Sequence, residues 1–272
     1  MRMTDAQVAQ YQRDGFIIFP ALFSKAETAA LRAETARLSA INADTVIREH
    51  SGGVRSIFRV HEDDGATHSP AFRALVRTPR VLEPTRQALG GDVYVYHTKI
   101  NTKPAIEGTV WMWHQDYGSW KRDGCPRSDM GTFAVMMTDS VEMNGALYVV
   151  PGSHQRGRIE PYYDEHTSYK FWAVPKREMI EVLKSSPPPV PIVGPAGTCV
   201  LFHCNLLHAS GHNLSAEDRW HIYISFNACA NAPQLGPQSR PDWVVSRNTR
   251  PLQIEADDAI LNSGTEPELL KA

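Results

Sequence analysis

Arg219-Trp220-His221-Ile222-Tyr223-Ile224-Ser225-Phe226 alternates between two kinds of side chain without a break. In a β-strand, residues two apart share a face. One face therefore carries Arg219, His221, Tyr223 and Ser225, and the other carries Trp220, Ile222, Ile224 and Phe226, an apolar surface that helices can cover. Residues 93–103 read the same way, with His97, Lys99 and Asn101 on one face and Tyr94, Tyr96 and Ile100 on the other. Polar faces turned inward and apolar faces turned outward under helices describe a barrel with a ligand cavity, not a filled core.

Further segments fit that frame. Residues 110–116, 132–139, 146–150 and 198–203 are mostly rich in β-branched or aromatic residues, and Gly, Pro, Asn or Asp separates most of them. A helix over 176–184 and a proline stretch over 187–191 interrupt the series. Upstream, Thr4 with Gln7 and Ser24 with Glu27 form capping boxes for helices ending near Gly15 and Ser39. Phe16 to Pro20 reads as a short strand between them. Ser69-Pro70 and Thr78-Pro79 each place a cap before a proline at the first helical position, and the second of these helices stops at Gly90-Gly91. Residues 42–68 read as a long, irregular surface loop. The expected fold class is mainly β with N-terminal helices: a double-stranded β-helix (jelly-roll, cupin-like) barrel with a helical cover. With no repeat and no linker, 1–272 reads as a single domain. Residues 1–91 form the helical cover, 92–230 the jelly-roll core, and 231–272 a tail that wraps the barrel or is partly mobile.

Composition narrows the function classes. Hydrophobic content of 42% and charged content of 21% are those of an ordinary soluble globular chain. A net charge of −2 gives no reason to expect nucleic acid or an anionic membrane surface as a partner. No apolar run reaches the roughly 18 residues of a membrane helix, and Met1-Arg2-Met3-Thr4-Asp5 lacks an apolar signal region, so a cytoplasmic location is the default. The expected partner is a small molecule, and the expected assembly a monomer or homodimer. Cys125, Cys199, Cys204 and Cys229 form no CxxC pair and read as free thiols without a function.

The chemistry starts at Trp113-His114-Gln115-Asp116. On a strand, His114 and Asp116 would point the same way, supplying two members of the His-carboxylate-His facial triad that holds non-haem Fe(II). His203, His208 and His212 are candidates for the third. His208 lies beside Ser210, and Arg219 opens the next strand. A guanidinium presents a permanently charged planar fork suited to the distal carboxylate of a dicarboxylate, and a serine hydroxyl can share it. The consistent arrangement places His114, Asp116 and His208 on iron, with Arg219 and Ser210 on 2-oxoglutarate.

These residues sit in a longer series: Lys99-Ile100-Asn101-Thr102-Lys103-Pro104, Trp113-His114-Gln115-Asp116-Tyr117, Trp120, Asp123-Gly124-Cys125-Pro126, Asn144-Gly145-Ala146-Leu147, Pro151-Gly152-Ser153-His154, and His208-Ala209-Ser210 with Arg219. In this order the series resembles the phytanoyl-CoA dioxygenase family of Fe(II)/2-oxoglutarate oxygenases, and is similar to its ectoine hydroxylase branch, over roughly residues 90–230. The resemblance implies Fe(II), 2-oxoglutarate and O2, with release of succinate and CO2. It implies that His114, Asp116 and His208 are the ligands and that Arg219 and Ser210 bind the distal carboxylate. It places Lys99 and Asn101 on the same co-substrate side and Trp120 near the substrate. Halogenating relatives replace the carboxylate by a small residue, so Asp116 favours hydroxylation. Two departures bear on the substrate: His97 stands where the ectoine branch has Gln, and Ala134 follows Thr132 on its strand face where that branch has a second hydroxyl. His221 faces inward and is a further substrate candidate. The implied substrate is a small polar or zwitterionic metabolite such as an amino acid, an ectoine-like compound or an aminophosphonate.

Two other readings use the same residues. A zinc hydrolase also suits a set of two histidines and one carboxylate, but it needs a general base and gives Arg219 and Ser210 no task. A non-catalytic cupin-like binding barrel leaves the complete triad unexplained. His154 reads as a turn residue, His203 and His212 as loop or supporting residues, and Trp111, Trp113 and Trp220 as packing residues.

Overall fold

The computed structural model describes residues 1–166 and 169–263. Thirteen strands are named in chain order. They are β1 (Phe16–Phe19), β2 (Val46–Arg48), β3 (Val54–Phe58), β4 (Val93–Lys103), β5 (Trp111–His114), β6 (Met130–Met136), β7 (Leu147–Val149), β8 (Tyr162–Asp164), β9 (Phe171–Ala173), β10 (Val190–Ile192), β11 (Cys199–His203), β12 (His208–Ser210) and β13 (Arg219–Ala228). The helices are α1 (Asp5–Asp14), α2 (Lys25–Ser39), α3 (Pro70–Leu75), α4 (Pro79–Leu89), α5 (Asp116–Trp120), α6 (Lys176–Ser185) and α7 (Ala259–Asn262). Both expected capping boxes are formed, and Gly15, at φ 81°, closes α1 in the left-handed region that suits glycine.

A seven-stranded sheet in the order β1-β11-β6-β13-β4-β3-β2 faces a four-stranded sheet in the order β10-β7-β12-β5. The two sheets do not join into one closed barrel, so the jelly roll is open at its seam. Helices cover the outer face of the large sheet. Phe133, Val135, Ile100, Ile222, Ile224 and Phe226 pack there against Leu31, Leu38, Phe72, Leu75 and Leu82, each burial contributing about 1.5–3 kcal/mol. Between the sheets, Ala134, Met136, Val200 and Phe202 meet Leu147, Val149 and Ile192. Among the described residues, no helix is long and apolar enough to cross a membrane.

Four expectations are corrected. Residues 42–68 are not a plain loop: they include β2 and β3, which extend the large sheet, and Ile57 and Phe58 are fully buried. Residues 1–91 thus contribute strands as well as a helical cover. The proline stretch contains β10, an edge strand paired with β7, a place where proline's missing N–H is tolerated. The strand expected over 110–116 ends at His114, and Asp116 opens α5. Finally, Tyr94 and Tyr96 do not lie opposite His97. The β13–β4 register slips between Ser225 (opposite His97) and Phe226 (opposite Val95), leaving Tyr96 as a bulge residue. The bulge reverses the alternation, so Val93 and Val95 join the helix-covered core while Tyr94 and Tyr96 join a cluster with Tyr117 and Trp120.

The tail wraps the barrel as far as it is described. Ser246 N donates to Tyr96 O at 2.8 Å, Leu252 N to Val93 O at 3.0 Å, and Ile260 is buried. Residues 264–272, on which the expectation of mobility also fell, lie outside the described residues. The tail is pinned at Gly124, whose carbonyl accepts from Gln234 N at 2.9 Å. Gly124 has φ +100°, and a Cβ there would lie 2.0 Å from Gln234 O. Gly124→Ala is expected to cost about 1–3 kcal/mol, read as a lower midpoint in chemical denaturation.

Candidate active site

The β13–β4 pairing sets one wall. Ser225 lies opposite His97, Tyr223 opposite Lys99, His221 opposite Asn101 and Arg219 opposite Lys103, all on the inward face. β5 and β12 supply the other wall, with His114 directly across from His208 and their ring centroids 4.1 Å apart. Asp116 Oδ1 lies 4.0 Å from His114 Nε2 and 3.8 Å from His208 Nε2. One ligand atom from each of the three residues falls within 4.8 Å of the others, a spacing that suits a single ion with bonds of about 2.0–2.2 Å.

Local hydrogen bonds give each donor the right state. His114 Nδ1 meets Met112 O at 2.7 Å and His208 Nδ1 meets Leu206 O at 2.9 Å. A carbonyl can only accept, so each Nδ1 carries the proton and each Nε2 presents a lone pair to the ion. Burial holds both imidazoles below their ordinary pKa, assisted at His114 by His208 and Lys99 and opposed at His208 by Asp116. Thr132 Oγ1 donates to Asp116 Oδ2 at 3.0 Å and lies 3.2 Å from Ser225 Oγ. Gln115 points away from the ion and clamps the turn, donating to Gly157 O and Asn205 O at 2.8 Å and accepting from Ile159 N at 2.8 Å.

Two neighbouring cavities flank the triad. The inner one, about 390 Å³ including the space open to solvent, is lined by Asn101, Leu147, Phe202, Ser210, Tyr223 and Ser225 among others. The outer one, about 920 Å³ including its mouth, is walled by Phe58, Trp120, Tyr163, Tyr169, Phe171, Trp172 and Arg240. His97, Lys99, Trp111, His114 and Asp116 border both, and among the described residues Asp116 is the only carboxylate lining either. A hydrolase would therefore lack a second carboxylate to serve as its general base.

Behind the Ser210 end of the inner cavity lies an excess of positive charge. Arg219 is fully buried; Nη1 donates to His221 Nδ1 at 2.7 Å, while Nε and Nη2 have no partner among the described residues. Lys103 Nζ donates to Ser210 Oγ at 2.8 Å and to Gly211 O. Ser56 donates to Asn101 Oδ1 at 2.8 Å, leaving Nδ2 free to donate into the cavity. Burial pulls Lys99 down to about 8, against the attraction of Asp116, and its Nζ lies 4.2 Å from the centre of the Trp111 ring. Buried donors without acceptors are costly, so this end fits an incoming carboxylate.

Of the residues singled out in the sequence, His97, Lys99, Asn101, Thr132 and Ser210 line the inner cavity, and Trp120 walls the outer one with its ring 5.8 Å from that of His97. Two substrate assignments are corrected: Ala134 lies in the apolar cluster between the sheets, and His221 sits against Arg219 rather than on the cavity wall. Thr132, read as a substrate position, is engaged with Asp116. His203 Nδ1 accepts from Asn205 N at 3.0 Å, and His154 Nε2 meets Gln12 O at 3.1 Å, so both stay outside the triad. Trp111, expected to be a packing residue, also walls both cavities.

Among the residues that were missed, three bear on the chemistry. Lys103 keeps step with Lys99 and Asn101 on β4, a signal the alternation contained. Phe58 was hidden in the presumed loop. Arg240 carried no local signal, because only the tail's path brings it to the chamber. There its Nε and Nη2 donate to the buried Asp123 carboxylate at 3.0 and 2.7 Å, and Tyr96 OH bonds the same carboxylate.

The chain matches the family model described as phytanoyl-CoA dioxygenase over residues 11–220. It is 34% identical over 256 residues to an ectoine dioxygenase of Bordetella parapertussis, covering 89% of this chain and 82% of that protein. It is 33% identical over 268 residues to the L-proline trans-4-hydroxylase of Streptomyces griseoviridis, covering 94% of this chain and 97% of that one. The crystal structure of EctD from S. alaskensis with 2-oxoglutarate and 5-hydroxyectoine matches with a TM-score of 0.80 at 29% identity, covering 93% of this chain and 88% of that one. Partners that orient a metal ligand typically govern affinity or activity about 10–100-fold. Thr132→Val is expected to weaken Fe(II) binding by that factor in anaerobic titration while the protein remains folded.

Proposed function

The chain belongs to the phytanoyl-CoA dioxygenase family and is an Fe(II)/2-oxoglutarate-dependent dioxygenase of small metabolites, and from that premise we propose that it hydroxylates a small zwitterion whose acidic group is held by Arg240. In this reading His114 Nε2, Asp116 Oδ1 and His208 Nε2 hold the iron. Arg219 and Ser210 take the distal carboxylate of 2-oxoglutarate, with Lys99 and Asn101 on the same side. When bound, the iron and co-substrate supply O2 activation coupled to release of succinate and CO2. The chain's own residues position the substrate and exclude competing chemistry.

The observation that carries the substrate class is the guanidinium of Arg240 in a chamber whose described lining holds no carboxylate other than Asp116. Asp123 takes Nε and Nη2, and Nη1 donates to no acceptor among the described hydrogen bonds. A carboxylate or phosphonate suits that donor. A substrate ammonium would meet ring faces instead of an acid, a favourable environment for a cation, with Phe58, Trp120 and the His97 ring close by. Burial, Arg240 and Lys99 hold His97 well below the usual imidazole pKa, so the neutral ring can accept an N–H. An amino acid, a cyclic amino-acid derivative, an ectoine-like compound or an aminophosphonate satisfies both ends. The proline hydroxylase relative acts on such a molecule by name.

A screen of these compounds for substrate-dependent succinate release tests the reading, and turnover confined to larger apolar compounds would sink it. Arg240→Lys keeps a cation beside Asp123 but removes the fork. It is expected to raise KM for the true substrate about 10–100-fold with Fe(II) binding unchanged. Asp116→Ala is expected to abolish succinate formation.

A further inference from the structure

Segments far apart in the chain converge on the carboxylate of Asp123, which is 1% exposed and sits in the turn that follows α5. Its Oδ1 accepts from the backbone N–H of Arg240 at 2.9 Å, and its Oδ2 accepts from Arg240 Nη2 at 2.7 Å and from Tyr96 OH. Arg240 Nε reaches the same carboxylate at 3.0 Å. The Asp123 carbonyl accepts from Ser239 Oγ at 2.9 Å, and Ser239 Oγ in turn accepts from Gly236 N at 2.9 Å. Exposed ion pairs contribute little, because long side chains must be ordered to form them. Here a buried group grips both the main chain and the side chain of Arg240, so the guanidinium fork is held in one orientation.

The bulge in β4 delivers the second support. An extra residue in one strand leaves its backbone groups outside the ladder and re-aims its side chain. Tyr96 is that residue: its carbonyl accepts from Ser246 N at 2.8 Å, and its hydroxyl donates to Asp123. Burial holds the phenol well above its ordinary pKa, so it remains a donor. The bulge residue therefore holds the tail twice, through its main chain at Ser246 and through Asp123 at Arg240.

The same carboxylate is tied to the iron site. Asp116 opens α5, and hydrogen-bonded turns carry the chain on to Asp123, with Lys121 N donating to Tyr117 O at 3.1 Å and Asp123 N to Ser119 O at 3.3 Å. At 1.5 Å of rise per residue, this coil spans about 10 Å between the two aspartates. We infer that Asp123 is a positioning residue: with Tyr96 as its second support, it fixes the Arg240 guanidinium at a set distance from the metal and so determines which carbon of the substrate is oxidised. This rests on the reading above, in which Arg240 takes the substrate's acidic group, and deepens it. Neither Asp123 nor Tyr96 lines the outer chamber, and both act through Arg240. A misplacement of about 1 Å in such a site costs about 100-fold in rate, which is why a rigid link between anchor and metal matters.

The test uses the protein loaded with Fe(II) and 2-oxoglutarate, with L-proline and ectoine as probes. Kd values are measured anaerobically by tryptophan fluorescence, and products are then analysed in air. Asp123→Asn keeps the shape but turns one acceptor oxygen into a donor facing Arg240. It is expected to weaken the probe that the wild type binds about 10–100-fold. It should also lower the product formed per succinate released and spread hydroxylation over more than one carbon, with the Kd of 2-oxoglutarate within twofold. Tyr96→Phe, which deletes one hydroxyl, is expected to act in the same direction by about 3–10-fold. A merely structural role would not move the position of oxidation. In an Arg240→Gln background, Asp123→Asn should cost little more, since the two act as one unit. Unchanged probe affinity with a single position of oxidation in both variants would overturn the inference, as would equal loss of probe and 2-oxoglutarate. Should Asp123→Asn not fold, Tyr96→Phe decides alone by the same readouts. Wild-type protein that binds neither probe would instead overturn the placement of the substrate's acid at Arg240, and the inference with it.

Discussion

The pairing of β13 with β4 is the constraint on which the rest of the structure depends. These two long strands lie inside the large sheet, with β6 and β3 beside them. Their register decides at once which side chains meet the helices and which meet the cavity. Ile222, Ile224 and Ile100 go outward into the main core, while Arg219, His221, Lys99 and Asn101 go inward. Because the side-chain period is two, a slip of one residue would send the polar set into the apolar core. The bulge at Tyr96 is the single tolerated break. It falls where the wall changes from a helix-backed surface to the aromatic cluster around Trp120.

A barrel with a polar interior is stable only if its polar groups are paired. Most of them are. The metal-facing histidines give their Nδ1 protons to backbone carbonyls, Asp116 accepts from Thr132, and Asn101 accepts from Ser56. Among the described residues around the cavities, the exceptions concentrate at Arg219 and His221, with His97 Nδ1 nearer the substrate chamber. Low dielectric strengthens a completed network and penalises an incomplete one by the same physics. The orphaned donors therefore mark the groups a ligand is meant to satisfy. This molecule leaves its unpaired positive charge at one end of the inner cavity and the carboxylate of its described lining at the metal.

The sequence was legible wherever chemistry is local. Capping boxes at Thr4 and Ser24, the ends of β4 and β13, and the stop at Gly90 all depend on neighbouring residues and were formed as read. So were the ordered motifs from Lys99 to Arg219 that identify the family. Legibility failed where partners are remote. β2, β3 and β10 are only three to five residues long, set among polar or proline-bearing neighbours, and they become strands because an edge of an existing sheet accepts them. The alternation at Tyr96 misled because a bulge is a property of two strands together. Ala134 and His221 have the right parity for the cavity, but depth along the strand leaves one among apolar side chains and the other against Arg219.

The sequence by itself determined the fold class and the family, and it singled out His114, Asp116 and His208, which the fold brings together, because periodicity and motif order are written in consecutive residues. The tertiary structure decided how Asp116 reaches the histidines, from the first turn of α5 and not by strand alternation. It also decided that Lys103 lies beside Ser210 and Arg219, and that the tail carries Arg240 back to the chamber. Those are facts of distance between segments far apart in the chain. Desolvation, which turns an ordinary lysine or arginine into a ligand-seeking charge, exists only once those segments have closed around it.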